Sequence, residues 1–160
     1  MAATVLLALL SESGIARAAD DTSGRNTLKG LTGVHVIIDG IREEQKRAGF
    51  DQATFQTDVE LKLRMAGIKV LTEDEWLKSK GMPLLDVTIN ALHTQRGEIA
   101  PYSLGLELAQ AANLSRNGAP ALVVTWSTAA VGYGDLSHVR DGLKDHLEGF
   151  INAWLSVNPK

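Results

Sequence analysis

Three side chains near the C-terminus have the types and spacing of a metal site. His138, Asp141 and Asp145 occupy positions i, i+3 and i+7 of a predicted helix, which places them on one face. An imidazole and two carboxylates at this spacing can bind a divalent metal, so a metal-assisted hydrolase is one hypothesis. The row lies opposite the apolar stripe of the same helix, however. We therefore favour a solvated helix face over a metal site, and we predict no cofactor.

A second group of residues could supply general-base chemistry. His35 lies within a predicted strand and Asp39 at its end, and the hydroxyl of Ser103 or Ser127 could join them in the fold. Neither serine stands in a Gly-x-Ser-x-Gly sequence, which is the signature of a nucleophile elbow. We favour a hydrogen-bonded structural role for this histidine.

The glycine-rich segment 130–134 is the only candidate phosphate loop that the sequence offers. Ser137 stands where a dinucleotide-binding motif would have its third glycine, and no Gly-Lys-Ser/Thr follows. We predict an ordinary glycine loop between a strand and a helix. Because no catalytic motif is complete, the residues leave open whether the chain is an enzyme and favour a non-catalytic function.

Composition excludes several classes of protein. The chain has 160 residues, 44% of them hydrophobic and 22% charged, which is typical of one folded domain. A formal net charge of -3 leaves no excess of basic residues to neutralise phosphates, so we predict no nucleic-acid partner. The chain has no cysteine, which excludes disulfides, a thiol nucleophile and lipid attachment at a lipoprotein cysteine.

The N-terminus has features of a secretory signal. Residues 2–10 form an apolar run, and Ala16-Arg17-Ala18 fits the small-x-small rule for cleavage. We predict a signal peptide at 1–18, a flexible lead-in at 19–30 and a single domain at 31–160, with the mature protein periplasmic or secreted. The alternative is a buried N-terminal helix. No later apolar run has the length of a transmembrane segment, so none is predicted in the mature chain.

Residues 54–66 fit either a strand or a helix, because their apolar positions satisfy both periods. Gly67 favours the helix, since a glycine just after the last turn is the usual left-handed C-terminal cap. Around this helix the sequence predicts a strand at 33–39, a short strand at 68–71 and a short helix that opens with a capping box at 72–75.

The second half of the chain has the pattern of a meander and a long helix. Residues 85–91 and 102–108 alternate between apolar and polar or small side chains, and a turn at Asn117-Gly118 precedes a third strand at 122–126. Apolar residues recur at helical spacing over residues 136–155, which predicts a long C-terminal helix. The predicted fold is α+β, with a mainly antiparallel sheet covered on one face by the first and the C-terminal helices.

Two glycines in the predicted C-terminal helix imply close packing. Gly142 and Gly149 lie on one edge beside its apolar stripe, and each costs close to 1 kcal/mol of helix propensity relative to alanine. We predict that this edge lies against the sheet or against the first helix. The alternative is that both glycines face water.

The three tryptophans are large enough to stack on a ligand, but each lies in an apolar periodic context. We predict that Trp76, Trp126 and Trp154 pack in the core.

Four segments resemble a family of bacterial exported proteins that are described only as hypothetical: 58–64, 66–68, 125–127 and the tail from 140 to 160. The resemblance implies export and provides no catalytic motif. The order of elements is also similar to that in the N-terminal domain of TolB and in the lipoprotein activators of peptidoglycan synthases. Together with the signal sequence, this predicts a non-catalytic periplasmic or secreted domain that binds a cell-envelope protein or other envelope component.

Overall fold

The computed structural model describes residues 19–47, 49–92 and 100–159. The predicted signal peptide at 1–18 lies outside these residues. The elements in chain order are α1 (Thr22–Asn26), β1 (Gly33–Asp39), α2 (Glu43–Arg47), α3 (Gln52–Ala66), β2 (Lys69–Val70), α4 (Glu73–Lys78), β3 (Leu84–Ala91), β4 (Ala100–Asn113), β5 (Pro120–Gly134) and α5 (Leu136–Val157).

The five strands form one open sheet in the order β2-β1-β3-β4-β5. β1 runs parallel to both of its neighbours, β2 and β3, whereas β3, β4 and β5 form an antiparallel meander. The predicted α+β class is confirmed, but the sheet is mixed rather than mainly antiparallel. The reason is that helix α3 connects β1 to β2. A helical crossover of this kind brings the next strand back parallel to the first.

The predicted meander is confirmed, although its last two strands are longer than predicted. Leu85 lies opposite Leu108, and Leu108 lies opposite Trp126, which sets three apolar side chains in register. The turn that contains Gly118 has the positive φ of 69° that this glycine allows. β4 and β5 extend into stretches of small and polar residues, where large apolar side chains no longer alternate.

Capping chemistry defines α3 and α4 as the sequence predicts. The Asp51 side chain accepts a hydrogen bond from the backbone N–H of Thr54 at 3.0 Å, and Gly67 ends α3 in the left-handed conformation with φ of 90°. The capping box of α4 is complete, because Thr72 and Glu75 each accept a hydrogen bond from the other's backbone N–H. The helical interpretation of residues 54–66 is therefore confirmed.

A short helix, α1, occurs within the predicted lead-in, for which the sequence predicts no helix. Asp21 caps it by accepting a hydrogen bond from the Gly24 N–H at 2.7 Å. Leu28 follows it and is fully buried, and its carbonyl accepts a hydrogen bond from Asn158 after the end of α5. Residues 19–30 therefore include part of the core.

The core lies between one face of the sheet and the helices α3 and α5. Trp126 of β5 meets Phe150 of α5 edge to face, with ring centroids 5.1 Å apart. The indole N–H of Trp126 donates to Asp20 at 3.0 Å, and that of Trp154 donates to the Leu31 carbonyl at 2.8 Å. Both tryptophans are buried as predicted, and each has a hydrogen-bond acceptor.

The two glycines of α5 have different surroundings. A Cβ on Gly142 would lie 3.1 Å from the Tyr102 hydroxyl and 3.2 Å from Leu104, so this position packs closely against β4. Among the described residues nothing lies within 4 Å of the corresponding point on Gly149. The prediction of close packing is confirmed for Gly142 and is wrong for Gly149.

Replacing Gly149 with alanine should raise the free energy of unfolding by about 0.5–1 kcal/mol, because alanine has the higher helix propensity and meets no neighbour. Gly142→Ala is the matched variant. It should give no gain, since Tyr102 and Leu104 must move to accommodate the methyl group. Urea denaturation of both variants measures the difference, and an equal gain at both positions would contradict the packing described.

Candidate functional site on the open face of the sheet

The sheet has one face covered by α3 and α5 and an opposite face that we call the open face. Along β1, Val34, Val36 and Ile38 are buried toward the helices, so the side chains between them lie on the open face. Strand register extends the open face across the sheet. Its residues include His35, Ile37, Asp39, Asp86, Thr88, Ser103, Gly105, Glu107, Ser127, Ala129, Val131 and Tyr133.

Helix α4 lies over the start of β1 on this face. Its Trp76 stacks on His35 with ring centroids 5.4 Å apart and an interplanar angle of 23°. The Trp76 indole nitrogen is buried without a hydrogen-bond partner in the described part of the chain. This tryptophan is half-buried and lies outside the main core cluster, which differs from the prediction that all three pack in the core.

Three carboxylates lie on neighbouring strands of the open face. Asp86 of β3 lies opposite Glu107 of β4, and Asp39 of β1 lies opposite Thr88, two residues along β3. Burial raises the pKa of Asp86, and the negative charges of Asp39 and Glu107 raise that pKa further. One oxygen of Asp86 is buried without a hydrogen-bond partner among the described residues. A side-chain hydrogen bond with Thr88 opposes this rise of the pKa. Asp39 and Glu107 are the exposed members of the group, and a positive charge brought to them would stabilise the negative charge of the group.

Exposed apolar side chains lie on the open face of β5. Val131 is 87% exposed and Tyr133 is 68% exposed, and they alternate with residues that face the helices. Leu122 and Val124 are exposed beyond a bulge opposite Leu108 and Ala109, and Ser127 and Ala129 separate the two pairs on this face. Exposed apolar patches are typical of surfaces that bind another molecule. We call Leu122, Val124, Val131 and Tyr133 the β5 strip.

The candidate metal ligand His138 is part of a helix cap. Its Nδ1 atom lies 2.8 Å from Asp135, whose side chain also accepts hydrogen bonds from the backbone N–H groups of Ser137 and His138. The pKa of Asp135 lies well below its usual range, first because of the Ser137 hydroxyl and then because of His138. The imidazole is thus directed toward the start of α5.

The other two candidate ligands, Asp141 and Asp145, do not converge with His138. Asp141 forms an exposed ion pair with Lys144 at 3.0 Å, and Asp145 is exposed on the next turn of α5. In residues 19–47, 49–92 and 100–159 no group of three or more histidine and acidic side chains has an arrangement that could hold a metal.

The residues of the candidate general-base group are also separated. His35 Nδ1 lies 2.9 Å from the Leu71 carbonyl, and this residue begins the open-face row of β1. Asp39 lies four residues further along the strand, at roughly 13 Å from the strand rise, so the two side chains do not form a pair. Ser103 lies opposite Asn90, and Ser127 lies opposite Glu107.

The segment 130–134 belongs to β5, so the predicted glycine loop is wrong. Tyr102 of β4 lies across Gly132, and His138 lies across Gly134, so closely that a side chain at either glycine would clash. These glycines are therefore required for close packing within a continuous strand rather than for a turn.

A groove between α5 and the β4–β5 pair was not predicted from sequence. Its volume is about 330 Å³, and it is lined by residues that include Tyr102, Val131 and His146. The Nε2 atom of His146 is buried without a partner among the described residues, and burial lowers its pKa. Tyr102 and His146 are far apart in the sequence, so no local spacing could have joined them.

None of the helices in the described ranges is both long and apolar enough to cross a membrane. Comparison with family models and with curated protein sequences gives no match. Among solved structures, the chain is similar to a PelC dodecamer from Paraburkholderia phytofirmans, with 17% identity, a TM-score of 0.39 and coverage of 81% of this chain and 90% of that chain. It is also similar to a minor lipoprotein from Acinetobacter baumannii, with 9% identity, a TM-score of 0.27 and coverage of 80% and 87%. At these TM-scores neither likeness assigns the α+β chain to a family.

Proposed function

We propose that this chain is a non-catalytic domain, periplasmic or secreted, that binds a cell-envelope protein through the open face of its sheet. The observation that carries the proposal is the exposed β5 strip on the same sheet face as the carboxylates of Asp39, Asp86 and Glu107. A surface that carries both exposed apolar side chains and carboxylates favours binding of a partner with both apolar and basic groups.

The positions of His35 and His138 support binding over hydrolysis. His35 contacts the Leu71 carbonyl and stacks on Trp76. His138 forms a hydrogen bond with Asp135, the N-cap residue of α5. The metal-assisted hydrolase remains the alternative, but Asp141 pairs with a lysine instead of joining His138.

Export is the second part of the proposal, and the small-x-small sequence Ala16-Arg17-Ala18 supports it. N-terminal sequencing of the protein from the cell envelope or medium tests this part. A mature protein that begins near Ala19 supports export, whereas retention of Met1 would contradict it.

Charge reversal on the open face tests the binding surface. Glu107→Lys places a positive charge opposite Asp86, so it should reduce capture of a basic partner from envelope extracts at least tenfold. Asp141→Lys is the matched control, because it makes the same change of charge at an exposed position on α5. Capture is measured by quantitative mass spectrometry with the immobilised mature protein.

A protein that is captured by Asp141→Lys but no longer by Glu107→Lys is the partner that binds the open face. If both variants capture the same proteins in the same amounts, the open face is not the binding surface. Circular dichroism of both variants checks that the fold is kept.

A further inference from the structure

The two edges of the sheet differ in how they are protected. β5 is the outermost strand on one side, and it is 15 residues long. It contains no charged residue, and its single proline is Pro120, its first residue. Long edge strands without charges or interior prolines readily pair with another strand, because alternate N–H and C=O groups point away from the sheet.

The opposite edge has the protective features that β5 lacks. β2 has only two residues, one of which is Lys69. Beyond β2, side chains of α3 occupy the edge of β1: Gln56 donates a hydrogen bond to the Val36 carbonyl at 3.1 Å, and Gln52 donates to the Ile38 carbonyl at 2.9 Å. This edge therefore has little capacity to accept a further strand.

We infer that β5 pairs in antiparallel orientation with β5 of a second copy of this chain. The pairing would join two five-stranded sheets into one continuous sheet around a two-fold axis. The inference goes beyond the proposed function, since self-pairing uses the backbone edge of β5, whereas the envelope partner binds the face of the sheet.

The contacts of α1 restrict the pairing to the C-terminal half of β5. The Thr27 hydroxyl, which donates to the Gly24 carbonyl at 2.7 Å, also lies 3.4 Å from the Thr125 carbonyl, so the end of α1 lies beside the strand at the bulge. The segment 128–134 lies beyond this contact. A two-fold axis at Val131 pairs this segment with the same segment of the second copy.

This register brings apolar side chains together across the seam. Val131 lies opposite its own copy, and Ala129 lies opposite Tyr133, on the same side of the joined sheet. Because the strand carries no charge, two identical copies meet without like-charge repulsion. A second copy therefore fits this edge in both backbone and side-chain chemistry.

Sedimentation velocity of the mature protein at concentrations from micromolar to hundreds of micromolar tests the inference. The native chain should form a reversible dimer. Val131→Lys should weaken the dimer at least tenfold, because it sets two positive charges opposite each other at the axis. Val124→Lys is the matched control, since it makes the same substitution on the same strand outside the paired segment.

A charge-swap experiment separates pairing at Val131 from a general loss of apolar surface. Val131→Lys and Val131→Glu should each weaken self-association, and an equimolar mixture should restore it through a lysine–glutamate pair. Three results would each overturn the inference: a monomer at every concentration, equal weakening by Val124→Lys, and no recovery in the mixture. Failure here leaves the result with Glu107→Lys unaffected, because that variant does not alter β5.

Discussion

Trp126→Ala should lower the free energy of unfolding by about 3–5 kcal/mol, the range for large aromatic side chains removed from a core. The side chain is completely buried and contacts Phe150 edge to face at 5.1 Å. Its loss leaves a cavity between β5 and α5 and also removes the hydrogen bond from the indole N–H to Asp20. Since small domains have total stabilities of about 5–15 kcal/mol, urea denaturation should show a large shift of the midpoint.

Trp76→Ala is the matched control for this variant. Trp76 is half-buried and lies outside the core cluster. Its indole nitrogen has no hydrogen-bond partner in the described part of the chain. Its replacement should therefore cost clearly less than that of Trp126. Equal costs at the two positions would show that burial and the Asp20 hydrogen bond do not determine the stability of β5.

Gln45→Ala should lower the free energy of unfolding by about 1–3 kcal/mol, because it leaves the Ala91 carbonyl without a buried hydrogen bond. Gln45 is 1% exposed, donates to the Ala91 carbonyl at 2.7 Å and accepts from the Arg42 N–H at 2.6 Å. The side chain thus joins α2 to the end of β3. Thermal and urea denaturation measure the loss.

Gln52→Ala provides the comparison, since Gln52 also donates to a strand carbonyl, that of Ile38, but is itself exposed. Water can replace its hydrogen bond, so the expected cost is below about 1 kcal/mol. A cost at Gln52 as large as that at Gln45 would contradict the role assigned to burial.

Local chemistry predicted α3, α4 and α5, because the ends of these helices depend on residues close in sequence. Gly67 ends α3 and Thr72 opens α4 as expected from capping alone. α1 has only five residues and α2 is equally short, and neither has a full apolar period to detect. Their positions depend on distant contacts such as that of Leu28 with Asn158.

Strand limits and pairing were less predictable. The end of β5 contains glycines and small residues, which in sequence resemble a loop, and only the close approach of Tyr102 and His138 explains them. The parallel pairing of β1 with β3 could not be derived from alternation, since the alternating pattern is the same for either direction.

The candidate site depended on the same long-range information. His138, Asp141 and Asp145 share a predicted helix face, but which of them meet depends on Asp135 and Lys144, whose rotamers no spacing rule specifies. The pairing of Asp86 with Glu107 depends on the register of β3 with β4. Both residues stand at polar positions of the predicted strands, which is the signal that could have identified the open face.

The central position of β1 has a consequence for cooperativity. β1 lies between β2 and β3, and its pairing with β3 joins segments separated by most of the first half of the domain. Closing a loop of this length carries an entropy cost that only the completed sheet offsets. If β1 detached, β2 would lose the strand with which it pairs, and β3 would become a bare edge while staying paired with β4. Opening at β1 therefore also releases β2, so β1 couples the parallel crossover through α3 to the antiparallel meander.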